Sequence, residues 1–184
     1  MRLIPAFVLA AVLALYTVPA LAQDEANFSP ITGAFGLELG QVLEGNAGAA
    51  GTMDTPPLTI LQQVTTPSPS RHFSFYNLNI CTATRQIVGI IGIETFADMD
   101  EAQRSFKSLW RILEEKYGPS VSGSEKAEAY QAGEPSMGRA VTLNPPEQAQ
   151  GVIKVSIQYY DNALWDACLD QEYETQHAED MDNL

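Results

Sequence analysis

Basic side chains are few. Ten Lys and Arg stand against 23 Asp and Glu, a formal net charge of −13. A nucleic-acid backbone needs a dense array of cations, and an anionic membrane surface needs the same. Neither is expected as a partner. There are only two histidines, His72 and His177. Nucleophilic catalysis wants a base held by packing beside its nucleophile. His177 sits in an acidic C-terminal stretch, and no G-x-S-x-G elbow accompanies His72. H-E-x-x-H and C-x-x-C are both missing. The glycines around 33–51 have neither the Walker spacing nor the dinucleotide fingerprint, and no Lys follows to meet a phosphate. They read as turn and cap glycines. No catalytic residue, metal ligand or cofactor is therefore expected.

What is present begins with an export signal. Arg2 supplies a positive start, Leu3 to Val18 is uncharged and apolar, and Ala20-Leu21-Ala22 is an A-x-A cleavage site followed by Gln23-Asp24-Glu25. Cleavage between Ala22 and Gln23 is expected. The alternative is an uncleaved anchor, since the stretch nearly suffices to span; Pro5 and Pro19 interrupt it, and no Lys or Arg follows as a stop. Gln23 rather than Cys follows the cut, which argues against a lipid anchor. No stable membrane anchoring is expected after cleavage. Loss of residues 1–22 removes one Arg and no acid, making the balance one unit more negative. The remainder has the size of one ordinary domain.

Cys81 and Cys168 are the only cysteines. In an oxidising compartment two thiols allow a single internal pairing. Closing that loop of about 87 residues stabilises by about 4–5 kcal/mol in the chain-entropy picture. Two buried free thiols or an intermolecular bridge are the alternatives.

Residues 23–33 lack periodicity and read as a loose leader. Ala34 to Leu39 is a short apolar run, and Gln41 to Glu44 has room for a helical turn or two before Gly45–Gly51 breaks it. Leu58 to Thr65 alternates as a strand, with Leu58, Ile60, Gln62 and Val64 on one face. His72 to Ile80 is a second strand, with Tyr76, Leu78 and Ile80 on one side and Phe73 and Phe75 on the other. Ile87 to Phe96 completes an antiparallel hairpin with it.

The strongest local pattern is a helix over Asp98 to Tyr117. Asp98 is the N-cap, with Glu101 three residues on. Ala102, Phe106, Leu109, Trp110, Leu113 and Tyr117 form one apolar stripe. Gly118 and Pro119 stop it. Capping explains Asp98-x-Asp100-Glu101 better than a calcium loop, because the required Gly and final Glu are missing.

Beyond the helix, Ser124 to Ala132 has the look of a surface helix. Arg139 to Leu143 reads as a strand, with a loop around Pro145-Pro146. Val152 to Tyr160 alternates with Ile153, Val155, Ile157 and Tyr159 inward and Lys154, Ser156, Gln158 and Tyr160 outward. A helix from Asn162 would bury Trp165, Cys168 and Leu169. Asp161 to Leu184 holds eight acids and no Lys or Arg, so its end, 179–184, reads as a solvated tail.

These motifs together resemble a family of small, mostly uncharacterised bacterial exported proteins. The resemblance rests on Gly33-x-Phe35-Gly36-x-x-x-Gly40, Phe73-x-x-Tyr76, Val88-x-x-Ile91, Leu113-x-x-Lys116-Tyr117-Gly118-Pro119, Tyr159, and Cys168 in an acidic terminal helix closed by Leu184. It covers most of residues 33–184, departing in the Gly/Ala-rich 45–51 loop and in 120–138. It implies an α+β module similar in kind to the small domains of outer-membrane assembly lipoproteins and β-lactamase inhibitory proteins. It assigns no catalytic residue and transfers no function.

The expectation is a single α+β domain over 34–178, an antiparallel sheet of about five strands with helices packed on one face. Its expected role is a non-enzymatic binding or accessory module, periplasmic or alternatively secreted, for an unidentified protein or small-molecule partner. Phe73, Phe75 and Tyr160 are the candidate contact residues on the sheet's outer face. Two alternatives stand beside it. One is a hydrolase built from scattered carboxylates or Ser. The other is an acidic divalent-cation binder using Glu174, His177, Glu179, Asp180 and Asp182.

Overall fold

The computed structural model describes residues 28–121, 129–134, 138–149 and 151–182. The expected cleavage site and most of the leader lie outside these. The fold is α+β, but larger than expected. A two-stranded ribbon, β1 (Gly33–Ala34) and β2 (Leu37–Glu38), accompanies a seven-stranded antiparallel sheet. The sheet holds β3 (Gly51–Thr55), β4 (Leu58–Gln62), β5 (Phe75–Cys81), β6 (Ile87–Phe96), β7 (Tyr130–Gly133), β8 (Arg139–Ala149) and β9 (Val152–Asp161). Their spatial order is β3-β4-β5-β6-β9-β8-β7. Two helices complete it, α1 (Met99–Tyr117) and α2 (Asn162–Asp182).

α1 follows from local chemistry. The Asp98 carboxylate accepts the Glu101 N–H at 2.9 Å, and the Gly118 N–H closes the last turn on the Glu114 carbonyl. All six residues of the apolar stripe are buried. They lie across β6, β7, β8 and β9, where Ile90, Val141, Leu143, Val155 and Ile157, with Leu78 of β5 beside them, complete the core. Each such side chain, once fully buried, contributes about 1.5–3 kcal/mol. Ile153, Val155, Ile157 and Tyr159 all face inward as their alternation requires.

Four expected features are corrected. Gln41–Glu44 is extended, not helical: Val42 bridges Gln86, and the Leu43 N–H donates to the Arg85 carbonyl. Tyr130 to Gly133 is strand β7, paired with β8, not the end of a surface helix; 122–128 lie outside the described residues. β8 continues through Pro145-Pro146, which fall where the register with β9 shifts between Asn144 and Glu147. Proline is tolerated at such an irregularity because no ladder bond is demanded of it. On β4 the core residue is Leu61, on the face opposite Leu58, Ile60 and Gln62; Gln63 at φ +52° then breaks the alternation and returns Val64 to the core.

The helices also do not share one face. A bulge makes Val88 the extra residue between the pairs Asn79–Gly89 and Ile80–Ile87. Ile87 and Ile90 therefore both point into the α1 core, while Val88 points the other way. There it meets Leu58, Cys81, Cys168 and Leu164 of α2. The Cys81–Cys168 disulfide is formed, with Cα atoms 5.7 Å apart. It tethers α2 to the face that α1 does not cover. Trp165 and Leu169, expected to be buried, are 37% and 43% exposed. The expected boundary at 178 falls inside α2. Of the 23–33 leader, Ser29 donates its N–H to the Lys116 carbonyl and Ile31 packs against the core.

Candidate functional site

Strand pairing places rows of side chains on the face turned away from α1. One row is Asn77, Ile91, Gln158 and Thr142, contributed by β5, β6, β9 and β8 in order. The next is Phe75, Ile93, Ser156 and Asn144. Thr95, Lys154 and Glu147 form a third beyond it, and Asn79, Gly89 and Tyr160 a fourth on the α2 side. α2 packs on the corner at Leu58, Cys81 and Val88. Across the rest, a trough of about 820 Å³ opens between Asn77, Ile91, Ile93, Asn144, Ser156 and Gln158. A second, separate hollow of about 410 Å³ shares Gln158 with it and is lined by Asn79, Gly89, Tyr160 and Trp165 toward α2. At the other end lies a hollow of about 230 Å³ beside Phe75.

The walls are held from within. The Asn144 amide donates to Ser156 Oγ at 3.1 Å, and Asn77 Oδ1 accepts the Gln63 N–H at 3.0 Å. The Thr142 and Tyr160 hydroxyls lie 3.4 Å apart. The Asn79 side chain lies over Gly89, where a Cβ would stand 3.3 Å from Asn79 Nδ2. Asn79 Oδ1 is buried with no partner among the described residues.

Charge is sparse here. Lys154 and Glu147 face each other in register at one end of the trough. At the α2 end, Asp161 is committed twice. It receives Arg139 Nε at 2.9 Å and caps α2 by accepting the Leu164 N–H at 3.1 Å. The tyrosines whose hydroxyls are held above their ordinary value, Tyr76, Tyr130 and Tyr159, belong to the α1 core, where burial disfavours the phenolate. Among the described residues no three His, Cys, Asp or Glu side chains are placed to hold a metal ion, and no helix is long and apolar enough to cross a membrane. Glu174 and His177 lie on α2; the side chains of Glu179, Asp180 and Asp182 are outside the described set. His72 lies in the turn before β5 and His177 on α2, the latter beside the Tyr173 ring.

Of the three expected contact residues, Phe75 (38% exposed) and Tyr160 lie on the open face. Phe73 does not. It is 8% exposed and packs against Phe35 on the core side, because it precedes β5 and escapes the alternation. Sequence reasoning missed the polar members from β5 and β8, Asn77, Asn79 and Asn144. Their signal was period-two spacing against known inward residues; for Asn144 it was hidden by the prolines that follow. Comparison with protein-family models, with curated proteins and with solved structures finds no match.

Proposed function

We propose that this chain is an exported binding module, periplasmic or secreted, that recognises its partner on the open sheet face and catalyses no reaction. Kinship with the family of small bacterial exported proteins is part of the same reading. The supporting observation is the trough. A chain with net charge −13 leaves a long, nearly uncharged groove on the one sheet face that its main helix does not cover. A concave surface that sets placed polar side chains around an apolar floor is where a ligand is expected to sit. The formed disulfide accords with an oxidising compartment. The hydrolase alternative draws no support from a trough that, among the described residues, is lined by a single carboxylate, Glu147, opposite Lys154.

The test compares the mature protein with a blocked variant, Ile93→Arg with Gln158→Glu, each immobilised and exposed to envelope extract of the native host. A component retained by the first and not by the second is the expected result. Equal retention, or turnover of an extract component without retention, would show the reading to be wrong.

A further inference from the structure

We infer that the trough takes a neutral, extended oligosaccharide, an inference that rests on the open face being the binding surface. The sheet's backbone groups are consumed in its own ladders, so a ligand lying on this face must be read by side chains. An extended peptide, in contrast, gains its affinity by pairing with a free sheet edge, and the edges here are β3 and β7, away from the trough.

The side chains on offer suit hydroxyl groups. Gln158 carries an amide with two donor hydrogens and a carbonyl acceptor; Asn77 Oδ1 already accepts the Gln63 N–H and Asn144 Nδ2 already donates one hydrogen to Ser156 Oγ, so Asn77 offers chiefly its NH₂ and Asn144 its carbonyl and second hydrogen. Vicinal sugar hydroxyls are likewise donor and acceptor at once, and a carboxamide can meet two of them together. Between these amides the floor is apolar, formed by half-buried Ile91 and Ile93. Phe75 stands near one end and Trp165 near the other, each more than a third exposed. An aromatic face is electron-rich and accepts the polarised C–H bonds of a pyranose ring.

Two further observations narrow the class. The open face runs along β6 from Gly89 to Thr95, about 20 Å at strand rise, which calls for a chain of rings. Among the described residues, an anionic ligand would meet one cation in the trough, Lys154, on a strongly acidic protein, and a cationic one would meet one carboxylate, Glu147. At the α2 end, the buried Asn79 Oδ1 lacks a protein partner among the described residues. A buried acceptor left unpaired is costly, and a ligand hydroxyl reaching past Tyr160 would offset that cost.

The experiment uses the mature, disulfide-intact protein on an array of neutral glycans. Calorimetry then follows with maltotetraose, cellotetraose and tetra-N-acetylchitotetraose, and an uncharged Gly/Ser/Thr octapeptide serves as the comparison. The expected result is saturable binding of at least one neutral glycan with a change in tryptophan emission that Trp165→Phe removes. That binding should weaken tenfold or more in Gln158→Ala and in Phe75→Ala, while the thermal midpoints of both variants stay within a few degrees of the parent. Silence across the array and the three tetrasaccharides would overturn the inference. So would glycan binding that both variants retain in full. If the octapeptide alone binds, and Gln158→Ala abolishes it, the sugar assignment fails while the open face stands as a binding surface. If the blocked variant also retains every extract component, both readings fail together.

Discussion

The Phe35 ring sits over Gly92, in a space that a side chain at 92 would occupy. A Cβ built on Gly92 would stand 3.1 Å from Phe35 Cζ, 3.1 Å from Ile157 Cγ2 and 3.0 Å from Phe73 Cγ. Phe35 reaches this place from the tight β1–β2 turn, where it takes φ +56° and Gly36 takes +79°. It then contacts the rings of Phe73, Tyr76 and Tyr159. The N-terminal glycine motif thus delivers one aromatic ring to the core, and Gly92 makes room for it.

Gly92→Ala should therefore overpack this site and cost about 1–3 kcal/mol. The urea midpoint should fall with the slope of the transition unchanged. An unaltered midpoint would mean that the ring is not seated there.

Reduction of Cys81–Cys168 should destabilise the chain by about 2–5 kcal/mol, because the bridge closes a separation of 87 residues in the unfolded state. The loss should be uneven. α2 is held to the sheet by Leu164 and the bridge, so its amides should exchange faster on reduction while those of α1 change less. Hydrogen exchange with and without reductant reads both effects.

The buried phenols make stability fall in alkali. Tyr76, Tyr130 and Tyr159 are held above the ordinary value of 10.0, chiefly by burial. The native state thus favours the neutral phenol, and the unfolded chain releases its proton first. Their contribution is complete below about pH 10 and is lost as pH climbs through the raised native values. Tyr130 also lies 2.8 Å from the Gly118 carbonyl and 3.0 Å from that of Leu113, sharing its one proton at the end of α1. Tyr130→Phe should cost about 1–3 kcal/mol at neutral pH and shrink the alkaline loss. Urea melts at pH 7 and pH 10.5 measure both; an equal alkaline loss in parent and variant would contradict this assignment.

Arg139 joins three parts of the fold. It donates to Asp161 at the start of α2 through Nε at 2.9 Å and to the Leu39 carbonyl at 3.0 Å, from its own place on β8. It is partly exposed, so solvent screening reduces the ion pair's value. Arg139→Ala should cost about 1–2 kcal/mol. Arg139→Lys should recover only part of it, since Lys cannot present two fixed N–H groups. Thermal melts of both variants check the order.

Much of this fold is written locally. Asp98, the six-residue stripe and Gly118 specify α1 without help from elsewhere, because caps and i, i+4 spacing act within a few residues. β5, β6 and β9 show themselves by alternation, since Tyr76, Leu78 and Ile80 or Ile153, Val155 and Ile157 need one dry side. β3 and β7 do not. Gly51–Thr55 is almost wholly exposed, and Tyr130–Gly133 lies in a polar stretch; each is a strand only because a neighbour pairs with it. Trp165 and Leu169 misled because apolar character does not say which side of a helix is docked. The bridge at Cys168 says that.

The sequence by itself determined the central helix, the inward rows of the main strands and the two thiols available for pairing, because each depends on short-range pattern or on count. Tertiary structure alone decided which surface is left open. The register of β5, β6, β9 and β8 brings Asn77, Gln158 and Asn144 together from positions far apart in the chain. The bulge at Val88 and the tether at Cys168 confine α2 to one corner of that face. Both are long-range outcomes of packing, and no window of neighbouring residues contains them.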